Sequence, residues 1–226
     1  MKTFYGVVIY ENLKEVVNPA HACLVVWDVQ NGLVNRIFNR DLFLINLKNL
    51  VEGLRGKMPI VYTLISPLPQ GYQSGWNLFS MMRMFQVQDP SQLPVFMAPG
   101  SPDREIPESV KPQSGDMQME KSTPNIFLGT NFELMMKNRG IKSLIFTGIA
   151  TEMGVELSAR DAAGKGVLSC RRNGLCFFHE PGRARKIPRQ SGPYHPYRGF
   201  QGNTQTNLNV PQDLEVVNCL LEAKPQ

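Results

Sequence analysis

The sequence predicts an α/β fold built on a parallel sheet, and three observations carry that prediction. A continuous apolar run over 22–28 is typical of a central strand buried on both faces. An amphipathic helical repeat over 41–56 and a second apolar strand over 59–64 follow it, which makes a βαβ unit with a right-handed crossover. A further apolar strand over 143–148 runs directly into a segment with helical spacing.

Size and composition indicate one domain without a membrane segment. The chain has 226 residues, of which 42% are hydrophobic, enough for a full core. It has no uninterrupted apolar run of about eighteen residues, and its start carries acidic residues without a cleavage site, so we predict a cytoplasmic protein. Four cysteines at irregular spacing predict reduced thiols rather than disulfides or a zinc site.

The net charge of +5 lies mostly in the last part of the chain. Residues 167–226 hold eight Lys and Arg against four Asp and Glu, whereas residues 1–166 hold 16 against 15. The nearly neutral body has no basic face with interleaved aromatics, so we do not expect a nucleic-acid partner.

The segment 66–112 is a long insertion rich in Pro, Gly, Met and aromatic residues, with one short helix predicted over 77–85. Such an insertion is more often a lid or a subunit contact than an idle loop. Its Met and aromatic side chains could have either of two roles: they line a pocket, or they pack the insertion onto the body. Packing is the more common of the two.

Three strand ends are candidate sites. Asp28 closes the first strand, where it either caps a turn or has a functional role. Lys121 ends a short strand over 117–121, and taken alone it suits a solvated strand end better than a catalytic group. After a helix over 130–139 and the strand over 143–148 comes the turn that contains Gly154. The carboxyl ends of parallel strands share one edge of a sheet, so all three should meet there.

The motifs VVWDVQNGLV, EKSTPNIFLGT and FTGIATEMGVELSARDAAGKG resemble those of the isochorismatase-like, or cysteine hydrolase, superfamily over about residues 20–166. The resemblance implies a doubly wound, mostly parallel six-stranded sheet in three α/β/α layers, usually in a homo-oligomer that acts on a small molecule. It carries the family's aspartate onto Asp28, its lysine onto Lys121 and its cysteine nucleophile onto Gly154. The residues it implies for substrate binding are Gln30, Phe127, Ala150, Thr151, Met153 and Val155.

Gly154 changes the chemistry that the resemblance implies. Loss of the nucleophile from a covalent mechanism costs on the order of 10⁶-fold, so a thioester-forming amidase of this design would be almost inactive. True isochorismatases resemble this chain in having glycine at that position, and they hydrolyse a vinyl ether with the aspartate as acid. The expected activity is therefore hydrolysis of a vinyl ether or a C–N bond through Asp28 and Lys121. The alternative is a catalytically silent member that only binds a ligand.

The same comparison implies neither a metal nor another cofactor. The nicotinamidase branch binds a metal through histidines after the second strand, and here that region reads TLISPLPQGYQSGW. A cis peptide is also common in the G-x-x-T turn of the family, which indicates the bond from Ala150 to Thr151.

The expected acid role of Asp28 contains a conflict. A general acid must hold a proton near pH 7, which burial favours by raising its pKa, whereas a close Lys121 would lower that pKa. If the two side chains are within salt-bridge reach, the substrate must separate or desolvate them; otherwise Asp28 acts as a base on water. The amides of Met153, Gly154 and Val155 are candidates to hold a substrate carboxylate or an oxyanion.

The pattern changes after Gly166, so we predict an incomplete hydrolase domain over 1–166 and an irregular, basic, Pro- and Gly-rich tail over 167–226. The family's last strand, helix and strand would then be missing. Codons shifted by one base from Val167 onward permit FYPVVAMDCVSSM and a continuation with strand and helix patterns, ending in a stop within Leu208 and Asn209. The tail is therefore predicted to be out of frame, through a frameshift, a misjoined exon or an error in the sequence. As written, it would leave the strand over 143–148 as an exposed edge.

Overall fold

The computed structural model describes residues 1–177 and confirms the predicted α/β fold. Its strands are β1 (Lys2–Phe4), β2 (Val7–Ile9), β3 (Ala22–Trp27), β4 (Ile60–Ile65), β5 (Met117–Lys121), β6 (Ser143–Ile149) and β7 (Leu168–Phe177). Its helices are α1 (Leu13–Val16), α2 (Asn31–Val34), α3 (Arg40–Leu54), α4 (Gly75–Phe85), α5 (Phe132–Asn138) and α6 (Glu156–Gly164). No helix in this part of the chain has the length and apolar character needed to cross a membrane.

Five of the strands form one parallel sheet in the order β5-β4-β3-β6-β7, and β1 pairs with β2 in a separate antiparallel hairpin. From β3 the chain moves outward through β4 to β5, and then crosses back to place β6 on the other side of β3. The sheet is therefore doubly wound, and its switch point lies between β3 and β6. Ligands in open α/β sheets bind at the carboxyl ends of the strands at such a point.

The sheet is buried on both faces, as a three-layer fold requires. Alternate residues of β3, such as Leu24 and Val26, join a core on the side of α3. The intervening residues, including Val25 and Trp27, pack on the other side against α5 and α6. The continuous apolar character of these strands follows from this burial on two faces.

Gly148 allows β6 to lie against β3 at the switch point. Its φ is +128°, and a β-carbon built there would lie 2.1 Å from the carbonyl oxygen of Trp27. An L-residue cannot take that place without moving the backbone. The two strand ends that carry Asp28 and the Gly154 turn are thereby held together.

The prediction of an irregular chain from residue 167 is wrong over Leu168–Phe177, which forms β7 and pairs with β6. Main-chain hydrogen bonds make this pairing, and they do not require the regular apolar pattern that the segment lacks. The register is irregular, because Arg171 pairs with Phe146 whereas Cys176 already pairs with Gly148. The strand β6 is thus covered rather than exposed, and the prediction for 178–226 lies outside the described residues.

The insertion over 66–112 contains α4 and three short 3₁₀ turns, Pro90–Gln92, Pro102–Arg104 and Glu108–Val110. Met97 is fully buried in the core on the α3 side. In contrast, Trp76 and Phe79 on α4 are exposed. Packing onto the body therefore holds for the second half of the insertion, whereas Trp76 and Phe79 of α4 face away from the core.

Candidate active site

The structure brings together the first two predicted site residues at the carboxyl edge of the sheet. Asp28 follows β3, Lys121 ends β5, and β4 lies between these two strands. The Lys121 ammonium donates a 2.7 Å hydrogen bond to Oδ2 of Asp28, in an ion pair that is almost completely buried. The prediction that these two strand ends meet is confirmed, and the Asp28 side chain forms an ion pair there, whereas its functional role stays a prediction.

Lys121 is not a solvated strand end. It is 4% exposed, and its ammonium lies 4.2 Å from the centroid of the Trp27 ring. A buried lysine requires a partner because desolvation disfavours its charged form. Asp28 supplies the opposite charge, and the indole face adds a cation–π contact.

The carboxylate of Asp28 has further donors. Thr63 on β4 donates from Oγ1 to Oδ1 over 2.6 Å, and the same hydroxyl accepts the backbone N–H of Asp28 at 3.0 Å. The side chain of Trp27 lies beside this carboxyl and acts to lower its pKa. Asp28 itself has φ of +50°, a conformation that Asp and Asn tolerate better than other side-chain residues. These contacts fix the position of the carboxylate.

Burial has opposite effects on the two members of the pair. It raises the pKa of the Asp28 carboxyl, and the lowering effects of Lys121, Thr63 and Trp27 do not overcome it. Burial also lowers the pKa of Lys121, against the raising effect of Asp28. Both shifts favour the uncharged forms of the two side chains. The proton between them can therefore belong to Asp28 or to Lys121, across the short hydrogen bond that joins them.

The turn after β6 brings Gly154 to this edge without a side chain. Thr151–Val155 forms one turn of π-helix that leads into α6, and Gly154 is buried there. A β-carbon built on it would lie 2.4 to 2.5 Å from the indole of Trp27. The cis peptide joins Ile149 and Ala150, one bond before the predicted position. The N–H of Met153 bonds the carbonyl of Ala150 at 3.2 Å, so it is already used within the turn.

The residues predicted to bind substrate differ in their burial, and one of them has a structural role. Gln30 is fully buried: its Oε1 accepts the N–H of Ile65, and its Nε2 donates to the carbonyl of Arg104. It therefore braces β4 against the insertion. The other five residues differ in solvent exposure: Ala150, Thr151 and Val155 are buried, Phe127 is half-buried and Met153 is exposed. Substrate contacts for these residues remain predictions.

Sequence reasoning missed Thr63 and the position of Trp27. Thr63 lies within an ordinary apolar strand, and only its pairing with Trp27 in the β3–β4 register places it beside Asp28. Ser158 was also missed. Its hydroxyl accepts the N–H of Ile126, which fixes the N-I-F-L-G-T segment against α6. No local pattern could have indicated these contacts, because each joins distant parts of the chain.

A separate groove of about 370 Å³ shares no residue with this site. Its cations are neutralised locally, since Lys48, Arg55 and Lys111 each have an acidic partner. Among the side chains that the structure describes, no group of three or more His, Cys, Asp or Glu could hold a metal ion.

Comparisons with known proteins agree with this architecture. The ureidoacrylate amidohydrolase RutB of Pseudomonas savastanoi pv. phaseolicola is 26% identical over 160 residues, 63% of this chain and 65% of that protein. The protein of the same name from Yersinia enterocolitica is 26% identical over 88% of this chain and 89% of its own length. A cysteine hydrolase structure from Pseudomonas syringae pv. phaseolicola shares the fold, with a TM-score of 0.61 and 18% identity over 72% of this chain and 75% of that one.

The first of these matches spans about two thirds of the relative's length, and a family model extends over a similar share of this chain. Residues 22–169 match that model, which describes an isochorismatase domain. The matched range contains Asp28, Lys121 and Gly154 together with the sheet that positions them. The chain belongs to the isochorismatase family.

Proposed function

We propose that this chain hydrolyses a small metabolite by acid–base catalysis at Asp28, assisted by Lys121 and without a covalent cysteine intermediate. The observation that carries the proposal is the buried 2.7 Å contact between the Lys121 ammonium and Oδ2 of Asp28, next to a glycine at the nucleophile position. Membership of the isochorismatase family and the amidohydrolase names of its relatives support hydrolysis as the type of reaction. A vinyl ether is the proposed substrate class, and a C–N bond is the second.

Proton sharing resolves the conflict between an acid role for Asp28 and a nearby lysine. The ion pair and the neutral pair contain the same number of protons and differ only by transfer along one hydrogen bond. A substrate that excludes the remaining water favours the neutral pair, because desolvation disfavours both charges. Asp28 then carries the proton that it needs, and the pair takes up no proton from solvent.

For a vinyl ether, the proposed reaction begins when the Asp28 carboxyl gives its proton to the terminal enol carbon. The resulting oxocarbenium ion is attacked by water, which returns one proton to the Asp28–Lys121 pair. The hemiketal formed in this way then breaks to a ketone and an alcohol. A C–N bond would instead require Asp28 to act as a base on the attacking water.

The second candidate function is a catalytically silent protein that binds a small ligand. The observation that favours it is closure of the site: Asp28, Thr63 and Lys121 are all buried, and Trp27 lies where a side chain of residue 154 would be. A substrate would have to open this edge of the sheet before reaching the acid.

Product formation from isochorismate, ureidoacrylate and a panel of primary amides separates the two candidates. We expect turnover of the vinyl ether, with whole-protein mass spectrometry of quenched reactions showing no acyl adduct. An adduct would contradict the acid–base mechanism. A saturable rise in unfolding temperature without any product would support the silent alternative.

We also propose that the reading frame departs from that of the family near Val167. The irregular pairing of β7 supports this, since the four residues 172–175 lie opposite a single residue of β6, Thr147. The shifted peptide FYPVVAMDCVSSM would instead offer a strand followed by a turn. Sequencing genomic DNA and transcript across the codons for 165–168 is expected to reveal one inserted or missing base or a misplaced exon junction. An intact frame in both would refute the proposal.

A further inference from the structure

Trp27 contacts three positions of the active site, although the reaction proposed above gives it no role. Its ring centroid lies 4.2 Å from the Lys121 ammonium, its side chain acts to lower the pKa of Asp28, and the edge formed by Cζ2, Cε2 and Nε1 lies against Gly154. The side chain is 1% exposed. An ordinary core tryptophan needs apolar neighbours and one acceptor. Packing alone would not require the ion pair beside its ring or the glycine at its edge.

The contact with Gly154 is too close for any other residue. A β-carbon at position 154 would lie 2.4 Å from Cζ2 and 2.5 Å from both Cε2 and Nε1 of Trp27. The backbone does not explain this restriction, because Gly154 does not have the positive φ that strains other residues. Steric exclusion by the indole therefore keeps position 154 free of a side chain.

We propose that Trp27 is a positioning residue that fills the space of the absent residue-154 side chain and holds Lys121 against Asp28. The positioning role rests on the proposed function, whereas the steric pairing of Trp27 with Gly154 does not. A cation–π contact holds the ammonium beside the ring, and this keeps it within 2.7 Å of the Asp28 carboxylate. The bulky residue and the glycine act as a matched pair, so a nucleophile cannot be introduced at 154 while Trp27 is present.

Unfolding measurements on the full chain test the steric pairing without any substrate. Gly154→Ala alone is expected to lower the melting temperature by about 3 to 10 °C, the usual effect of overpacking in a protein of this size. In a Trp27→Leu background, the same change should lower it far less. Gly164→Ala is the matched control, because this glycine ends α6 with nothing within 4 Å of the added carbon. Equal losses in the two backgrounds would overturn the pairing.

The pH dependence of the Asp28 carboxyl tests the positioning role. Trp27→Leu removes both the ring and the N–H, and Trp27→Phe keeps a ring. We expect the ¹³C titration of Asp28 to shift to higher pH in Trp27→Leu, less so in Trp27→Phe, with turnover reduced on the order of 10-fold in the former. A residue that only packs would leave the titration unchanged or, through reduced burial of Asp28, shift it to lower pH, and either result would overturn the positioning role. Because the titration needs no turnover, failure of the proposed reaction is distinguishable from failure of this inference.

Discussion

Asp28→Asn is expected to lower kcat/KM for the substrate of this chain by about 10²- to 10⁴-fold, the usual contribution of a general acid or base. Asparagine has nearly the same shape and tolerates the φ of +50° at this position, so the backbone should be preserved. It cannot give up or accept a proton in the way a carboxyl group does. It also replaces one of the two carboxylate oxygens, which accept separately from Lys121 and Thr63, with an NH2 donor.

The measurement is steady-state kinetics on the substrate identified by the panel, with circular dichroism to verify the fold. Asp41→Asn is the matched control, because Asp41 is an exposed carboxylate in the first turn of α3, and it should leave kcat/KM unchanged. Turnover within threefold of the original in Asp28→Asn would refute the acid–base role. Loss of activity in both variants would point to a general effect of charge.

The sheet and its active edge could be predicted because they depend on local patterns. Burial on both faces makes β3, β4 and β6 continuous apolar runs, and their carboxyl ends must lie on one edge once they are parallel. Asp28 is therefore placed correctly from the sequence. The sequence leaves its role open between a turn cap and a functional residue, because that role depends on Lys121, which is 93 residues away along the chain.

The burial of Lys121 could not be predicted in the same way. The strand β5 alternates between partly buried and exposed residues, so a terminal lysine there suggests solvent. Three neighbours reverse this expectation: the Asp28 carboxylate, the Trp27 ring and the strand β4 beside it. The strand β7 was missed for a related reason, since its partner β6 offers main-chain groups that a side-chain pattern does not reveal.

Lys121→Met is expected to lower the free energy of unfolding by about 3 to 5 kcal/mol at pH 7, because it leaves a buried carboxylate without its cation. The loss should depend on pH in a defined direction. Removal of Lys121 takes away the main influence that lowers the pKa of Asp28, and burial then raises that pKa unopposed by a charge. The unfolded carboxyl has a pKa of about 4. At pH values between the pKa of the unfolded carboxyl and the raised pKa of the folded one, only the unfolded state has lost its proton. Stability therefore falls as pH rises through this range.

The size of this effect follows from the same linkage. Each pH unit over which only the folded state keeps the proton costs about 1.4 kcal/mol, so the loss should be larger at pH 7 than at pH 4.5. Chemical denaturation at pH 4.5 and at pH 7 measures it directly, with a small loss expected at the lower pH. Lys137→Met, which breaks the exposed pair with Glu133, should cost less than about 1 kcal/mol at both values.

The double variant Asp28→Asn with Lys121→Met separates charge from packing. It buries no ionised group, so most of the stability lost in Lys121→Met should return, as is common when both members of a buried pair become neutral. A loss in Lys121→Met that is the same at both pH values, without recovery in the double variant, would contradict this account. Lys121 would then stabilise the fold through its aliphatic chain, and Asp28 would not depend on it for its proton.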